Sequence, residues 1–172
     1  MHGFKIAIAT RDGDQSNLIT IGTDIGDNQD DGSEEEATMI ESVEIFFDTT
    51  DNNVRQKSGS MLAKIEIKGK IPKAPGLTTK LQQLSEWAHD RSSETTYRDI
   101  CIAVKAGSDK FQIVYAIKNV FVVDYKEVYV CDGSGGDEKD HFELRLTQKE
   151  NHLDKIDISR HWPTDGNFGR KG

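Results

Sequence analysis

Residues 24–36, DIGDNQDDGSEEE, gather seven carboxylates and no basic residue, the densest concentration of potential cation ligands in the chain. Asp27, Gln29, Asp31 and Gly32 approximate the first half of an EF-hand loop. The position that needs a bidentate glutamate holds Thr38, and no helical pattern precedes the loop, so the stretch reads as a solvated acidic loop. His2, His89, His141, His152 and His161 are scattered, with no H-x-x-x-H or HExxH spacing, and Cys101 and Cys131 show no CxxC or CxxH spacing. Zinc and thiol-redox chemistry therefore lack a signature. A G-x-S-x-G elbow is missing too, and neither cysteine has a sequence-marked histidine partner, which leaves nucleophilic catalysis unsupported. Gly133, Ser134, Gly135 and Gly136 suggest a phosphate loop. They sit between Asp132 and Asp137 and lead into a strand pattern, where no helix N-terminus would help hold an anion. The absence of a catalytic, cofactor or metal motif favours a structural or binding role over an enzymatic one.

The totals narrow the partners. A net charge of −8 and a pI near 5.1, with dispersed Lys and Arg, argue against a nucleic-acid surface and against an anionic membrane. There is no apolar run of membrane-spanning length and no signal-peptide pattern, so insertion into a membrane is not expected. The two cysteines fit folding in the reducing cytoplasm, with any export requiring a dedicated machine. The 172 residues read as a single domain, 1–172, with no repeat and no linker.

Strand periodicity dominates the elements. FKIAIA and LITIG flank RDGDQSN and read as an opening hairpin. ESVEIFFD places Val43, Ile45 and Phe47 on one face, and MLAKIEIK places Met61, Ala63, Ile65 and Ile67 on one face against Lys64, Glu66 and Lys68. RDICIAVK, the long run at 111–130, the alternating Phe142, Leu144 and Leu146, and KIDIS complete the strands. One helix is expected over about 77–90. Leu77, Leu81, Leu84 and Ala88 form its buried stripe with Trp87 beside it, and Thr79 and Gln82 form a capping box. Trp87 offers a ligand-stacking surface, but on that stripe it reads as core.

From about Gly59 onward the order of parts resembles the haemolysin-coregulated protein (Hcp) family, the tube subunits of type VI secretion systems, and related phage-type tail tubes. The resemblance rests on Ser58-Gly59-Ser60-Met61 before a strand, the helix from Leu77 to His89, and Val104-Lys105-Ala106-Gly107. Val114 to Val120 follow, then the Gly-rich acidic loop Gly133 to Asp137 and Phe142-Glu143-Leu144-Arg145-Leu146. It covers roughly the last hundred residues, and each motif alone is weak.

The resemblance implies a mainly β fold, a small antiparallel β-barrel of two packed sheets with one flanking α-helix. It implies a non-enzymatic, bacterial structural protein without a cofactor, whose hexameric rings stack into a tube. The partners would be further copies of itself, sheath, baseplate or spike proteins, and effector cargo of a contractile injection system. Export would occur through that machine, from the cytoplasm and without a signal peptide. Candidate subunit contacts are Arg55, Lys57, Ser58, Gly59 and Ser60, the loop residues Gly133, Ser134, Gly135, Gly136 and Asp137, and Trp162 in the tail 160–172. The net charge suggests an acidic lumen or outer surface. The rival reading is a monomeric β-sandwich module that binds carbohydrate or calcium through the acidic loop.

Overall fold

A computed structural model of the chain describes residues 2–10, 18–22, 36, 38–49, 61–93, 95–106, 112–131, 139–149 and 156–161. Its elements are β1 (His2–Thr10), β2 (Ile19–Ile21), β3 (Ile40–Thr49), β4 (Met61–Lys70), α1 (Pro75–His89), β5 (Arg98–Ala106), β6 (Gln112–Val128), β7 (His141–Gln148) and β8 (Ile156–Ser159). All strand pairings are antiparallel.

The 17-residue β6 is the spine. Its first half pairs with β5, from Val104↔Ile113 to Arg98↔Val120, while its second half pairs with β7, from Val120↔Gln148 to Val128↔His141. Val120 has a partner on both sides, so β5 and β7 lie on opposite edges of β6. β8 pairs with Val114–Ile117 on the edge that β7 occupies further along. Two sheets therefore share one strand: β2-β1-β5-β6-β8 and β3-β4-β7-β6. This refines the expected barrel. The two packed sheets are present, but the hydrogen-bonded path ends at β2 and β3 and does not close among the described residues.

The turn from one sheet to the other is built into β6. Between the pairs Arg98↔Val120 and Ile100↔Ile117, Asp99 stands opposite two residues, Lys118 and Asn119, which is a β-bulge. Asn119 takes φ 56°, the left-handed conformation that asparagine tolerates better than other side-chain-bearing residues. The bend is held at three points. Asn119 N–H donates to Asp99 Oδ1 at 3.1 Å, Gln148 Nε2 donates to the Lys118 carbonyl at 3.1 Å, and Lys149 N–H donates to the Asn119 carbonyl at 2.8 Å. A second bulge at Val123, between Val122↔Leu146 and Asp124↔Arg145, adds further twist.

Alternation then puts one face of both sheets into a single core. Ile6, Ile8, Ile19, Ile65, Ile67, Ile100, Ile102, Ile117, Val120, Phe142 and Leu144 are all at most 2% exposed and share one cluster with Leu81, Leu84 and Trp87 of α1. Two glycines permit close approaches. Gly22 has φ 86°, and a Cβ there would lie 2.0 Å from the Phe4 carbonyl oxygen; a Cβ on Gly69 would lie 2.5 Å from the Met39 carbonyl oxygen and 2.6 Å from the Phe142 ring. A second cluster, Ala7, Ala9, Cys101, Ala103, Val114 and Ala116, occupies the opposite face of β1, β5 and β6. Burial pushes the Cys101 thiol up to about 12, so it serves there as a small apolar group.

The helix begins earlier than its capping-box pattern suggests. Pro75 takes the first turn, where its missing N–H costs nothing, and Ala74 is the N-cap with no side-chain cap bond. Thr79 donates back to the Pro75 carbonyl and Gln82 donates to Glu86, so the expected Thr79–Gln82 box does not form. The buried stripe is Leu77, Leu81, Leu84 and Trp87, with Ala88 half-buried. Trp87 is core: its indole N–H donates to the Thr96 carbonyl at 2.8 Å, and the Arg98 guanidinium stacks 5.2 Å from its ring centroid.

Candidate assembly surface

Surfaces that other copies can use begin where backbone hydrogen bonding stops. In the sheet β3-β4-β7-β6, β3 is the last strand of the path. At the other end, Val122–Val128 of β6 has a described strand partner only in β7, because β5 ends opposite Val120. The four-stranded sheet thus presents two edges with unused backbone donors and acceptors among the described strands.

Successive antiparallel pairing also fixes the directions: β3 and β7 run one way, β4 and β6 the other. The chain leaves this sheet at Thr49 and re-enters at Met61 at one end; it leaves at Val128 and re-enters at His141 at the opposite end.

The outward face of this sheet is ordered in rows across the strands. One row reads Glu44, Glu66, Arg145, Asp124; the next reads Ser42, Lys68, Glu143, Lys126; a third reads Phe46, Lys64, Thr147, Phe121. Ion pairs stitch them together: Arg145 Nε to Glu66 at 3.3 Å, Lys68 Nζ to Glu143 at 3.6 Å, Lys126 Nζ to Glu143 at 2.7 Å and Lys64 Nζ to Asp48 at 2.9 Å. The hydrogen bond from Lys126 holds the Glu143 carboxyl below its ordinary range; burial opposes it, and the charges of Lys126, Lys68 and His141 add to the lowering. Acidic and basic side chains are interspersed on this face. The expected acidic surface is therefore not found here; the net negative charge of the chain resides elsewhere.

Glu44 lies directly opposite Glu66, a like-charge cross-strand pair, and among the described residues no cation pairs with it. Large apolar side chains stand exposed on and beside the edges: Phe46 and Phe47 on β3, Val123 on β6 and Tyr129 just beyond it, with Ile158 on β8. Alternation expected Phe47 inside with Val43 and Ile45. It shares their face but sits near the end of the edge strand, where nothing described covers it, and it is 43% exposed. Near the Val128 end, Glu127 accepts from both Tyr125 Oη at 2.5 Å and Tyr129 Oη at 2.6 Å. Both phenols are shifted upward, Tyr125 chiefly by burial and Tyr129 chiefly by that hydrogen bond.

The sequence-derived contact residues Arg55, Lys57, Ser58, Gly59, Ser60, Gly133, Ser134, Gly135, Gly136, Asp137 and Trp162 lie outside the described residues, as do Asp27, Gln29, Asp31 and Gly32 of the acidic loop. The strands on either side of the first two groups pair with each other, β3 with β4 and β6 with β7. What sequence reasoning missed is the open edge of β6. A run of apolar residues at 111–130 reads as one long strand, and only the partner lengths reveal that half of it is paired on one side. Among the described residues no group of three metal-ligating side chains gathers.

No family model matches this sequence, and no curated protein matches it. Solved structures do share its fold. The crystal structure of an Hcp protein aligns with a TM-score of 0.50 at 11% identity, covering 92% of this chain and 99% of that one. A mutant form of the Hcp1 protein from E. coli EAEC 042 aligns with a TM-score of 0.51 at 10% identity, covering 94% and 98%. A chain of the sheath–tube complex of the PVC extracellular contractile injection system aligns at 11% identity over 92% and 88%, with a TM-score of 0.48. The eight antiparallel strands and the helix Pro75–His89 among the described residues have the fold of these Hcp structures.

Proposed function

We propose that this chain is a structural subunit whose rings stack into the inner tube of a contractile injection or type VI-like secretion apparatus, serving as a conduit or carrier for effectors. The observation that carries the reading is the four-stranded sheet with an open edge at each end and strands of alternating direction. A copy generated by rotation about an axis along the strands brings its β3 beside this copy's β6, and the two run antiparallel, like every other pair in the fold. Such an interface is heterologous, so repetition closes a ring when the angle permits. The charged face of the sheet, of mixed sign, then lines the lumen. A surface of that kind offers moving polypeptide no large apolar patch to adhere to.

The strand ends that residues 50–60 join, Thr49 and Met61, and those nearest residues 132–138, Val128 and His141, lie at opposite ends of this sheet, the ends that would face the rings above and below. Arg55, Lys57, Ser58, Gly59, Ser60 and Gly133 to Asp137 belong to those two segments, which gives them a role in stacking. Sheath, baseplate and spike proteins are the further partners of this reading, and export from the cytoplasm follows from it.

Light scattering with negative-stain imaging of the concentrated, purified protein tests the proposal. Rings of about six subunits with a central hole, or hollow stacks of them, are expected. A monomer at every concentration, combined with calcium-dependent melting, would favour the binding-module reading instead.

A further inference from the structure

Resting on the tube reading, we infer that the seam between copies has one register, selected by an ion pair between Glu44 of β3 and Lys126 of β6 in the neighbouring copy. Along β3, and along β6 from Asp124 onward, the outward side chains fall on alternate residues, so registers that keep the charged faces continuous differ in steps of two. Two of these overlap the whole open edge of β6 with β3. In one, Glu44 meets Asp124; in the other, Glu44 meets Lys126, with Phe46 beside Asp124.

Two independent features choose between them. The first is charge. Glu44 already faces Glu66, so Asp124 would set three carboxylates side by side across the seam, whereas Lys126 places a cation directly opposite Glu44. Lys126 is 54% exposed at its side chain and reaches Glu143 within its own subunit, so its ammonium can bridge two carboxylates across the seam. The second is backbone regularity. Pairing in β3 is irregular between Ile40 and Ser42. The Asp124 register would draw that irregular stretch into the seam, while the Lys126 register uses only residues 42–48.

Variants Glu44→Lys and Lys126→Glu test this directly. Each alone places like charges at every seam, and the protein concentration needed for ring assembly rises by at least about tenfold. Mixed in equal amounts the two variants restore assembly. In an alternating ring each introduced lysine meets an introduced glutamate, and each remaining seam is the original one. Circular dichroism of each variant establishes that it is folded. If Lys126→Glu does not fold beside Glu143, Lys126→Gln replaces it: a severalfold rise in the assembly concentration supports the seam, and an unchanged concentration overturns it. Single variants that assemble as readily as the parent protein overturn the register while leaving the tube reading in place. So does a mixture that stays dispersed. A parent protein that never assembles overturns both.

Discussion

Trp87→Ala is expected to lower stability by about 4 kcal/mol, the usual cost of emptying a fully buried indole site. For a chain of this size that corresponds to a fall in Tm of roughly 8–16 °C. Trp87 is 1% exposed and closes the core against α1, and its loss removes three things together. The apolar cluster loses its largest member from the helix. The Thr96 carbonyl loses the indole N–H at 2.8 Å. The Arg98 guanidinium loses the ring beneath it, although burial already disfavours its charge and only Asp90 and Glu86 nearby offset that. Trp87→Phe keeps most of the volume and is expected to cost about 1–2 kcal/mol, chiefly the hydrogen bond. Thermal melting followed by far-UV circular dichroism reads both. If Trp87 were a ligand-stacking residue rather than core, the alanine variant would melt near the parent temperature.

Asn119→Val should destabilise the bend in β6. A β-branched side chain in the left-handed region costs about 2 kcal/mol, or roughly 4–8 °C in Tm. The effect reaches assembly as well as stability. Asn119 is the point where β6 leaves one sheet for the other, so straightening it turns the open edge at Val122–Val128 away from its direction. Asn119→Gly tolerates the same dihedral and should melt within about 1 kcal/mol of the parent. Equal melting of the valine and glycine variants would show that the bend does not depend on this residue.

Much of the fold is legible in the sequence because alternation is a local signal. Ile65 and Ile67, Phe142, Leu144 and Leu146, and the apolar side of the long strand all face the core as their period demands. The helix start at Pro75 is hidden behind a better-looking capping pattern at Thr79, because the N-cap residue here is Ala74, which offers no side-chain cap to mark the boundary. Barrel closure was not legible at all. It depends on whether β2 and β3 meet, a long-range property that no local pattern records. The assembly surface divides in the same way. The glycine-rich and polar connections stand out by composition, yet the open edges follow from strand lengths: β5 stops opposite Val120 while β6 continues to Val128. Charge shows the hazard of reading totals, because −8 over the chain coexists with a face of mixed sign.

The central claim is that β3 of one copy lies against β6 of the next, and a disulfide trap measures it directly. In a Cys131→Ser background, Glu44→Cys is combined with Lys126→Cys or, separately, with Asp124→Cys. Within one subunit β3 and β6 are separated by β4 and β7, about 14 Å across three strand spacings, which is too far for a disulfide. Oxidation of concentrated protein is predicted to give a ladder of covalent oligomers ending at a closed ring. Protein that stays monomeric on a denaturing gel with both pairs, while remaining folded, would contradict the account.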